Sequence, residues 1–257
     1  KINQIRLFVG NVRRFTTLSY QALMDVVIQA ARQYGAMNLA TTSLYNAFTN
    51  HGAKTIIYEI FEQMNLRLPE LIVVPVGGAG LLSALIQACM ELKELSFIED
   101  IPHFLAVQPE GCHPFIDALR VNAKPKDVYA KPWKFVNTVI SALANDIPFD
   151  YSWFHQLHEK LEAGTVSGII VSDEEALASQ RDLSRGEGIF VELASSTTLA
   201  ALKKAKEHGD MLEKFEDVAL ILTGAGVLDM DTASKRLREP QEYPLESWEE
   251  VMHQFFG

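Results

Sequence analysis

The stretch 72–88, IVVPVGGAGLLSALIQA, changes its structural pattern halfway along. Its first five residues are apolar or proline, and an apolar run of this length is typical of a buried strand. Gly-Gly-Ala-Gly follows at once, and apolar residues then recur at the spacing of an amphipathic helix. The stretch therefore predicts a buried strand that turns through glycines directly into a helix.

The same alternation of strand and helix patterns continues along the chain. Apolar runs predict strands at 70–76, 103–111, 189–193 and 218–226. Helices are predicted at 54–65, at 81–95, after the capping-box pair Ser172 and Glu175, and at 195–209 with Ser195 as a candidate cap. The segment 122–135 is rich in proline and charge, which predicts a surface loop. Strands that alternate with helices pair in parallel, so we predict an α/β fold with three layers, αβα, around a mostly parallel sheet.

The two ends of the sequence have weaker patterns. Residues 5–18 are strand-like, 19–35 have helical spacing between Ser19 and Gly35, and 36–48 look like a strand and loop. Together these segments predict a βαβ unit. The tail 247–257 predicts one further amphipathic helix.

Composition excludes several classes of protein. The 257 residues include 33 acidic and 23 basic side chains, a net charge of −10, which argues against a nucleic-acid partner. No apolar run is long enough to span a membrane, and the first residues lack the pattern of a secretion signal. Two cysteines, Cys89 and Cys112, are too few for a disulfide framework, so we predict a reducing, cytoplasmic location.

The glycine turn has the composition of an anion site. Gly77, Gly78, Ala79, Gly80 and Leu81, which we call the glycine loop, would direct backbone amides at an oxyanion, and the following helix adds a positive dipole end. No lysine follows the loop, which excludes a Walker nucleotide loop, and its spacing is not that of a dinucleotide fingerprint. Two interpretations remain, a cradle for a single phosphate or a tight turn without a ligand.

Four motifs together resemble a known family. They are VVPVGGAGLLSA at 73–84, AVQPEG at 106–111, VSDEEALASQRDLSRGEGIFVELASSTTLAAL at 171–202 and LILTGAG at 220–226. In this order they resemble the pyridoxal-phosphate enzymes of the tryptophan-synthase β fold type (fold type II), and most of all threonine synthases and threonine dehydratases. The resemblance covers 54–229 and implies that the anion is the phosphate of pyridoxal 5′-phosphate.

The resemblance assigns roles to individual residues. It places the cofactor phosphate on the glycine loop and the pyridine nitrogen beside Thr223. A hydroxyl at that position does not hold the nitrogen protonated, which suits elimination or replacement at the β or γ carbon. Without the resemblance, Thr223 would be interpreted as a strand-end threonine bonded to nearby backbone. Glu192 and Gln108 also match family positions, and we predict structural roles for both.

Other chemistry-bearing residues are interpreted as structural. Asp173, Glu174 and Glu175 fall in the first turn of a predicted helix, where the helix dipole favours acids. His155 and His158 have no neighbouring metal-ligand pattern, so we expect surface positions and no metal.

The family's catalytic lysine, which holds the cofactor as a Schiff base, is not recognisable in this sequence. Lys54 lies in GAKT, which resembles a later family segment at a helix start and not the lysine motif. The family's asparagine loop is also not found. The chain therefore resembles the family without its N-terminal part, with 1–42 as the remnant of a small domain and 43–257 as the C-terminal half of the large cofactor domain.

Three functions fit this resemblance. The first is a threonine-synthase-like lyase, which would convert a small amino acid such as O-phosphohomoserine to threonine and would form a homodimer. The second is a serine or threonine dehydratase, because Thr49 and His51 stand where synthases usually have an arginine and a glutamate, and a threonine cannot replace the arginine's charge. The third is a noncatalytic homologue or fragment with a binding or scaffold role.

Overall fold

The computed structural model describes residues 2–9, 12–13, 15, 20–40, 42–43, 46–207 and 212–234, together with 244, 247 and 252–253. The predicted cap Ser19 and most of the predicted helix at 247–257 lie outside these residues. Within them, no helix is long and apolar enough to cross a membrane.

Four short strands form one parallel sheet. They are β1 (Leu71–Pro75), β2 (His103–Pro109), β3 (Val166–Val171) and β4 (Val218–Leu220). The spatial order is β3-β2-β1-β4, and every pairing is parallel. The chain thus builds outward from β1 through β2 to β3 and then returns to the other side of β1. The loops after β1 and β4 consequently leave the sheet in a region where parallel α/β proteins bind ligands.

Eleven α-helices lie among the described residues. They are α1 (Ile2–Phe8), α2 (Tyr20–Tyr34), α3 (Ala47–His51), α4 (Thr55–Gln63), α5 (Gly80–Glu94), α6 (Pro114–Arg120), α7 (Pro125–Tyr129), α8 (Tyr151–His158), α9 (Asp173–Gly186), α10 (Leu193–Glu207) and α11 (Met230–Ser234).

The sheet separates two apolar layers. In β1, Ile72 and Val74 join the larger cluster with α4, α5, α6 and α8, whereas Leu71 and Val73 join Ala200 of α10 on the opposite face. These four of the five β1 side chains are fully buried, and each stabilises the fold by about 1.5–3 kcal/mol. A strand buried on both faces explains why its sequence is a continuous apolar run. The predicted three-layer αβα architecture is confirmed.

Of the three predictions for the N-terminal segments, the helix at 19–35 is confirmed by α2, and the two strands are wrong where the structure describes them. Residues 2–8 form helix α1 and not a strand, and 36–40 have no regular structure. Ile2, Ile5 and Phe8 recur every third residue, which is a helical spacing that the strand prediction overlooked. The described residues before position 43 therefore contain two helices and no strand, in contrast to the predicted βαβ unit.

Three differences occur elsewhere. The predicted strand at 189–193 is only an isolated bridge between Val191 and Ala225. Helix α7 lies inside the predicted loop 122–135, where Pro125 occupies a first-turn position that proline favours. Strand β3 was not predicted, because Gly168 interrupts its apolar run.

Candidate functional site

The glycine loop and Thr223 line the same cavity. The cavity has a volume of about 250 Å³, and its wall includes all six residues predicted for the cofactor: Gly77, Gly78, Ala79, Gly80, Leu81 and Thr223. It lies between the loop after β1 and the loop after β4, where the strand order reverses. A larger cavity of about 690 Å³ lies against Pro69, Pro102 and His103, at the amino ends of β1 and β2. Because ligands of parallel α/β sheets bind at the carboxyl ends of the strands, we place the candidate site in the smaller cavity.

The amides of the glycine loop are available to a ligand. No acceptor among residues 46–207 and 212–234 takes a hydrogen bond from the backbone N–H groups of 77–81. Helix α5 begins at Gly80, so its positive dipole end, equivalent to about half a charge, also points to this loop. Ala79 adopts a left-handed conformation with φ 73°, which turns the chain sharply between strand and helix. Unpaired amides at a helix N-terminus form a suitable site for a phosphate.

Two of the loop glycines are required by close packing. A Cβ atom on Gly80 would lie 2.2 Å from Asn50 Nδ2 and 2.5 Å from Asp150 Oδ2. On Gly77 it would lie 3.0 Å from both the Ala142 carbonyl oxygen and Asn145 Nδ2. The glycine loop is therefore packed against Asn50 and against the segment 142–150.

Ser195 holds Thr223 in place. Its hydroxyl oxygen accepts hydrogen bonds from the amides of Thr223 and Gly224, both at 3.0 Å, and lies 3.1 Å from Thr223 Oγ1. The two amides occupy both lone pairs of Ser195, so its proton is directed to Thr223 Oγ1. The proton of Thr223 is then left for an acceptor in the cavity. Ser195 is not the predicted helix cap, because α10 already begins at Leu193.

Asp150 is a residue of the site that sequence reasoning missed. Its carboxylate is 2% exposed and accepts hydrogen bonds from Thr42 Oγ1 at 3.0 Å, Ser43 N at 2.7 Å and Asn50 Nδ2 at 3.0 Å. An aspartate directly before a helical pattern predicts an N-cap, but this side chain makes no capping bond to α8. The position of Asp150 before α8 therefore suggests a helix cap, and it gives no indication of the contacts to Thr42, Ser43 and Asn50.

Gln108 and Glu192 make contacts that agree with their predicted structural roles. Gln108 is fully buried, and its Oε1 accepts a hydrogen bond from Ile116 N at 3.0 Å, which joins β2 to α6. Glu192 is 9% exposed, and its amide donates to the Gly224 carbonyl at 2.9 Å.

The acids at the start of α9 stabilise the helix. Ser172 Oγ accepts from Glu175 N at 3.1 Å and the Glu175 carboxylate accepts from Ser172 N at 2.6 Å, which confirms the predicted capping box. Partial burial opposes ionisation of Glu175, but the hydrogen bonds from Ser172 and Lys204 outweigh it and hold the pKa of its carboxyl below the usual range. Asp173 accepts from Val139 N at 2.9 Å and so fastens a neighbouring loop.

Lys54 lies away from the cavity. Its Nζ atom is 2.9 Å and 3.1 Å from the two carboxylate oxygens of Glu91. Glu91 follows Gly80 by eleven residues in α5, roughly 16 Å along the helix at about 1.5 Å per residue. The ion pair therefore places the Lys54 ammonium far from the glycine loop.

The two histidines of α8 differ in their environments. His155 is buried, in contrast to the surface position predicted for it, and its ring stacks on Tyr151. His158 is half-buried, and burial together with His155 lowers its pKa. In the part of the chain that the structure describes, no three His, Cys, Asp or Glu side chains lie close enough to hold a metal ion.

Comparison with known proteins agrees with this geometry. Residues 1–224 match the model of the family described as "Pyridoxal-phosphate dependent enzyme". A threonine synthase of Methanocaldococcus jannaschii is 33% identical over 225 residues, which cover 86% of this chain and 52% of that protein. A threonine synthase of Methanosarcina acetivorans is 33% identical over 195 residues, which cover 76% of this chain and 46% of that protein.

The fold also matches solved structures. The crystal structure of O-ureido-L-serine synthase superposes with a TM-score of 0.66 at 17% identity, over 97% of this chain and 68% of that one. The chain spans about half the length of the curated relatives named above, 52% and 46%. By its sequence match and by the fold it shares with these enzymes, the chain belongs to the family of pyridoxal-phosphate dependent enzymes, fold type II.

Proposed function

We propose that this chain is the cofactor-binding part of a threonine-synthase-like lyase that acts on a small amino acid. The observation that carries the proposal is one cavity shared by the hydroxyl of Thr223 and five amides of the glycine loop that have no acceptor in the described part of the chain. The identity to threonine synthases supports the substrate class, with conversion of O-phosphohomoserine to threonine as the candidate reaction.

The two donor sets fit pyridoxal 5′-phosphate. This molecule has a dianionic phosphate, which suits the amides of 77–81 and the N-terminus of α5, and an aromatic nitrogen, which suits a neutral hydroxyl donor. When bound, the cofactor supplies an electron-withdrawing ring that stabilises negative charge on the α-carbon of an amino acid.

The residues of this chain bind and orient the cofactor. The glycine loop holds the phosphate, and Ser195 directs the Thr223 proton to the ring nitrogen. Because Thr223 carries no charge, it does not protonate that nitrogen, and the ring withdraws electrons moderately. Lys54 is paired with Glu91, so we do not assign proton transfer at the substrate to it.

Other features of the whole protein are part of the same proposal. We assign 1–42 to a small domain and 43–257 to the cofactor domain. A homodimer and a cytoplasmic location follow from the resemblance to threonine synthases and dehydratases and, for the location, from the low cysteine content.

Binding of the cofactor by the 257-residue chain tests the proposal. Equilibrium dialysis should show pyridoxal 5′-phosphate bound at least about a hundredfold more tightly than pyridoxal, because only the former has the phosphate. Inorganic phosphate should compete with the first ligand and not with the second. Equal affinities for the two ligands would contradict the proposal and favour a glycine turn without a ligand.

A dehydratase is the second candidate, and one contact favours it. The His51 ring stacks on Trp153 with centroids 5.6 Å apart, and Thr49 has no charge, so neither supplies a cationic fork for a substrate phosphate. Assays of the natural full-length protein with threonine and with O-phosphohomoserine separate the two enzymes. Turnover of neither substrate, with intact cofactor binding, would point to the noncatalytic alternative.

A further inference from the structure

The carboxylate of Asp150 joins three parts of the chain. It accepts hydrogen bonds from Thr42, Ser43 and Asn50, and Asn50 Nδ2 also lies 3.1 Å from Ser43 Oγ. These donors precede Asp150 by about a hundred residues, so the contact fixes Thr42, Ser43 and Asn50 against the segment before α8. Asp150 and Asn50 are both buried, which shields these hydrogen bonds from water.

The same residue contacts the glycine loop directly. The Asp150 amide donates to the Gly78 carbonyl oxygen at 2.8 Å. Its Oδ2 atom and Asn50 Nδ2 both lie against Gly80, at the first residue of α5. The position of the loop therefore depends on both side chains.

This arrangement has an electrostatic consequence for phosphate binding. A carboxylate beside the N-terminus of a helix is attracted to the same amides and dipole that attract a phosphate. The hydrogen bonds from Thr42, Ser43 and Asn50 instead hold the Asp150 oxygens in place and satisfy them without the loop amides. If one of these donors is lost, the carboxylate can turn to the loop and compete with the ligand.

We propose that Asp150 is a positioning residue that sets the phosphate affinity of the glycine loop through its hydrogen bonds to Thr42, Ser43 and Asn50. The inference rests on the proposed function, because it concerns the phosphate of pyridoxal 5′-phosphate. It makes Thr42, Ser43 and Asn50 part of the binding site through their hydrogen bonds to Asp150.

A reciprocal exchange of the two side chains tests the proposal. Asp150→Asn replaces one of the two acceptor oxygens by an NH₂ group and removes the charge that the three donors face, and Asn50→Asp sets two carboxylates against each other, so each single change disrupts the hydrogen bonds of the parent. The double variant Asn50→Asp/Asp150→Asn restores one donor and one acceptor with the net charge unchanged. Asp100→Asn removes one charge at a side chain that is 95% exposed and serves as the matched control.

The readout is the ratio of the dissociation constants of pyridoxal and pyridoxal 5′-phosphate, together with thermal melting by circular dichroism. We expect Asp150→Asn to lower the ratio about tenfold, because the loop loses part of its support although no carboxylate is left to compete with the phosphate. Asn50→Asp should lower the ratio about thirtyfold or more, because the support is lost and two carboxylates now lie beside the loop. The double variant should recover to within about threefold of the parent, and Asp100→Asn should equal the parent.

Three results would overturn the inference. The first is a parent-like ratio in both single variants with cooperative melting, and the second is a folded double variant that fails to recover. If a single variant does not fold, Thr42→Val removes one donor at constant shape, and a ratio unchanged from the parent would have the same meaning. Absence of any preference for pyridoxal 5′-phosphate in the parent would instead contradict the proposed function, and this inference with it.

Discussion

Two glycine-containing turns follow neighbouring strands of the sheet, and they differ in whether their backbone amides have hydrogen-bond acceptors within the protein. After β1, the amides of the glycine loop donate to no acceptor in the described residues 46–207 and 212–234. After β4, the amides of Thr223 and Gly224 both donate to Ser195 Oγ, and Gly226 N donates to the Phe190 carbonyl at 3.0 Å. The sequences GGAG and TGAG look alike, but only the first leaves its donors to a ligand.

The difference shows how one fold motif serves two purposes. A turn whose amides are satisfied internally is rigid, and it can present one side chain, here Thr223, at a fixed position. A turn whose amides have no internal acceptor can donate hydrogen bonds to a ligand. Other residues must then hold the turn in position, and here Asn50 and Asp150 do so by packing against Gly80. The four predictions below test this contrast, from the largest expected effect to the smallest.

Gly80→Ala should have the largest effect. The new Cβ atom would lie within 2.5 Å of Asn50 Nδ2 and Asp150 Oδ2, and neither side chain can retreat without losing hydrogen bonds. We expect a loss of about 2–3 kcal/mol in the free energy of unfolding and at least about a hundredfold weaker binding of pyridoxal 5′-phosphate. Urea denaturation and equilibrium dialysis measure the two effects.

Gly78→Ala provides the control for overpacking. Its Cβ atom would meet nothing closer than 3.5 Å, so the free energy of unfolding should change by less than about 1 kcal/mol. Equal destabilisation by the two alanines would show that the loop is not held tightly against Asn50 and Asp150.

Ser195→Ala should make the second turn resemble the first. The change removes the acceptor of two amides, and we expect a loss of about 1–3 kcal/mol in the free energy of unfolding. The neighbouring Ser196→Ala is the matched control, because Ser196 is equally buried and only donates to the Ala176 and Leu193 carbonyls. Equal losses of unfolding free energy in the two variants, measured by urea denaturation, would show that accepting the two amides gives Ser195 no special role in stability.

Thr223→Val should weaken cofactor binding through the ring alone. Loss of the hydroxyl should weaken pyridoxal and pyridoxal 5′-phosphate by the same factor, about three- to tenfold, because the phosphate donors are unchanged. The ratio of the two dissociation constants therefore stays at the parent value, whereas Gly80→Ala lowers it. A lower ratio in Thr223→Val would indicate that the two turns do not act independently.

Glu91→Gln should affect only the far end of α5. Partial burial opposes ionisation of Glu91, but hydrogen bonds from Tyr58, Lys54 and Gln87 outweigh it and hold the pKa of its carboxyl below the usual range. A depressed pKa in the folded state stabilises the protein above the pKa of the unfolded state, and this stabilisation is lost as the pH falls through the folded pKa.

The variant should therefore be less stable than the parent at pH 7, and the difference should shrink as the pH falls below about 4. Thermal melts across this range measure it. Binding of pyridoxal 5′-phosphate should match the parent, since Glu91 and Lys54 lie roughly 16 Å from the glycine loop. Weaker binding would contradict the conclusion that Lys54 lies too far from the glycine loop to affect the cofactor.

The sequence predicted the parts of the fold that local pattern determines. The apolar run of β1, the glycines after it and the capping box of Ser172 and Glu175 each have a signal within a few residues, and each is confirmed. Helix α1 was missed because it has only seven residues, and its apolar side chains Ile2, Ile5, Leu7 and Phe8 are all exposed, so the pattern marks no buried face. The strand predicted at 218–226 was longer than β4, because the apolar run continues beyond the residues that pair with β1.

The candidate site was predictable only in part for a related reason. Motif order located the glycine loop and Thr223, which follow strands directly. The partnership of Asp150 with Asn50 joins residues a hundred positions apart, and no periodicity in a single sequence reports such a contact. Ser195 was assigned to a cap because its local context allowed one, whereas its actual partners are in another loop.

The two buried cysteines have a practical consequence for following the 42–50 segment in solution. Burial raises the pKa of Cys89, and burial together with Asp146 raises the pKa of Cys112 to about 12, so neither forms a thiolate near neutral pH. They are the only cysteines in the sequence. A maleimide dye would therefore react selectively with a new thiol introduced at Phe48, which is 86% exposed, and its fluorescence would report when the neighbouring Asn50 moves.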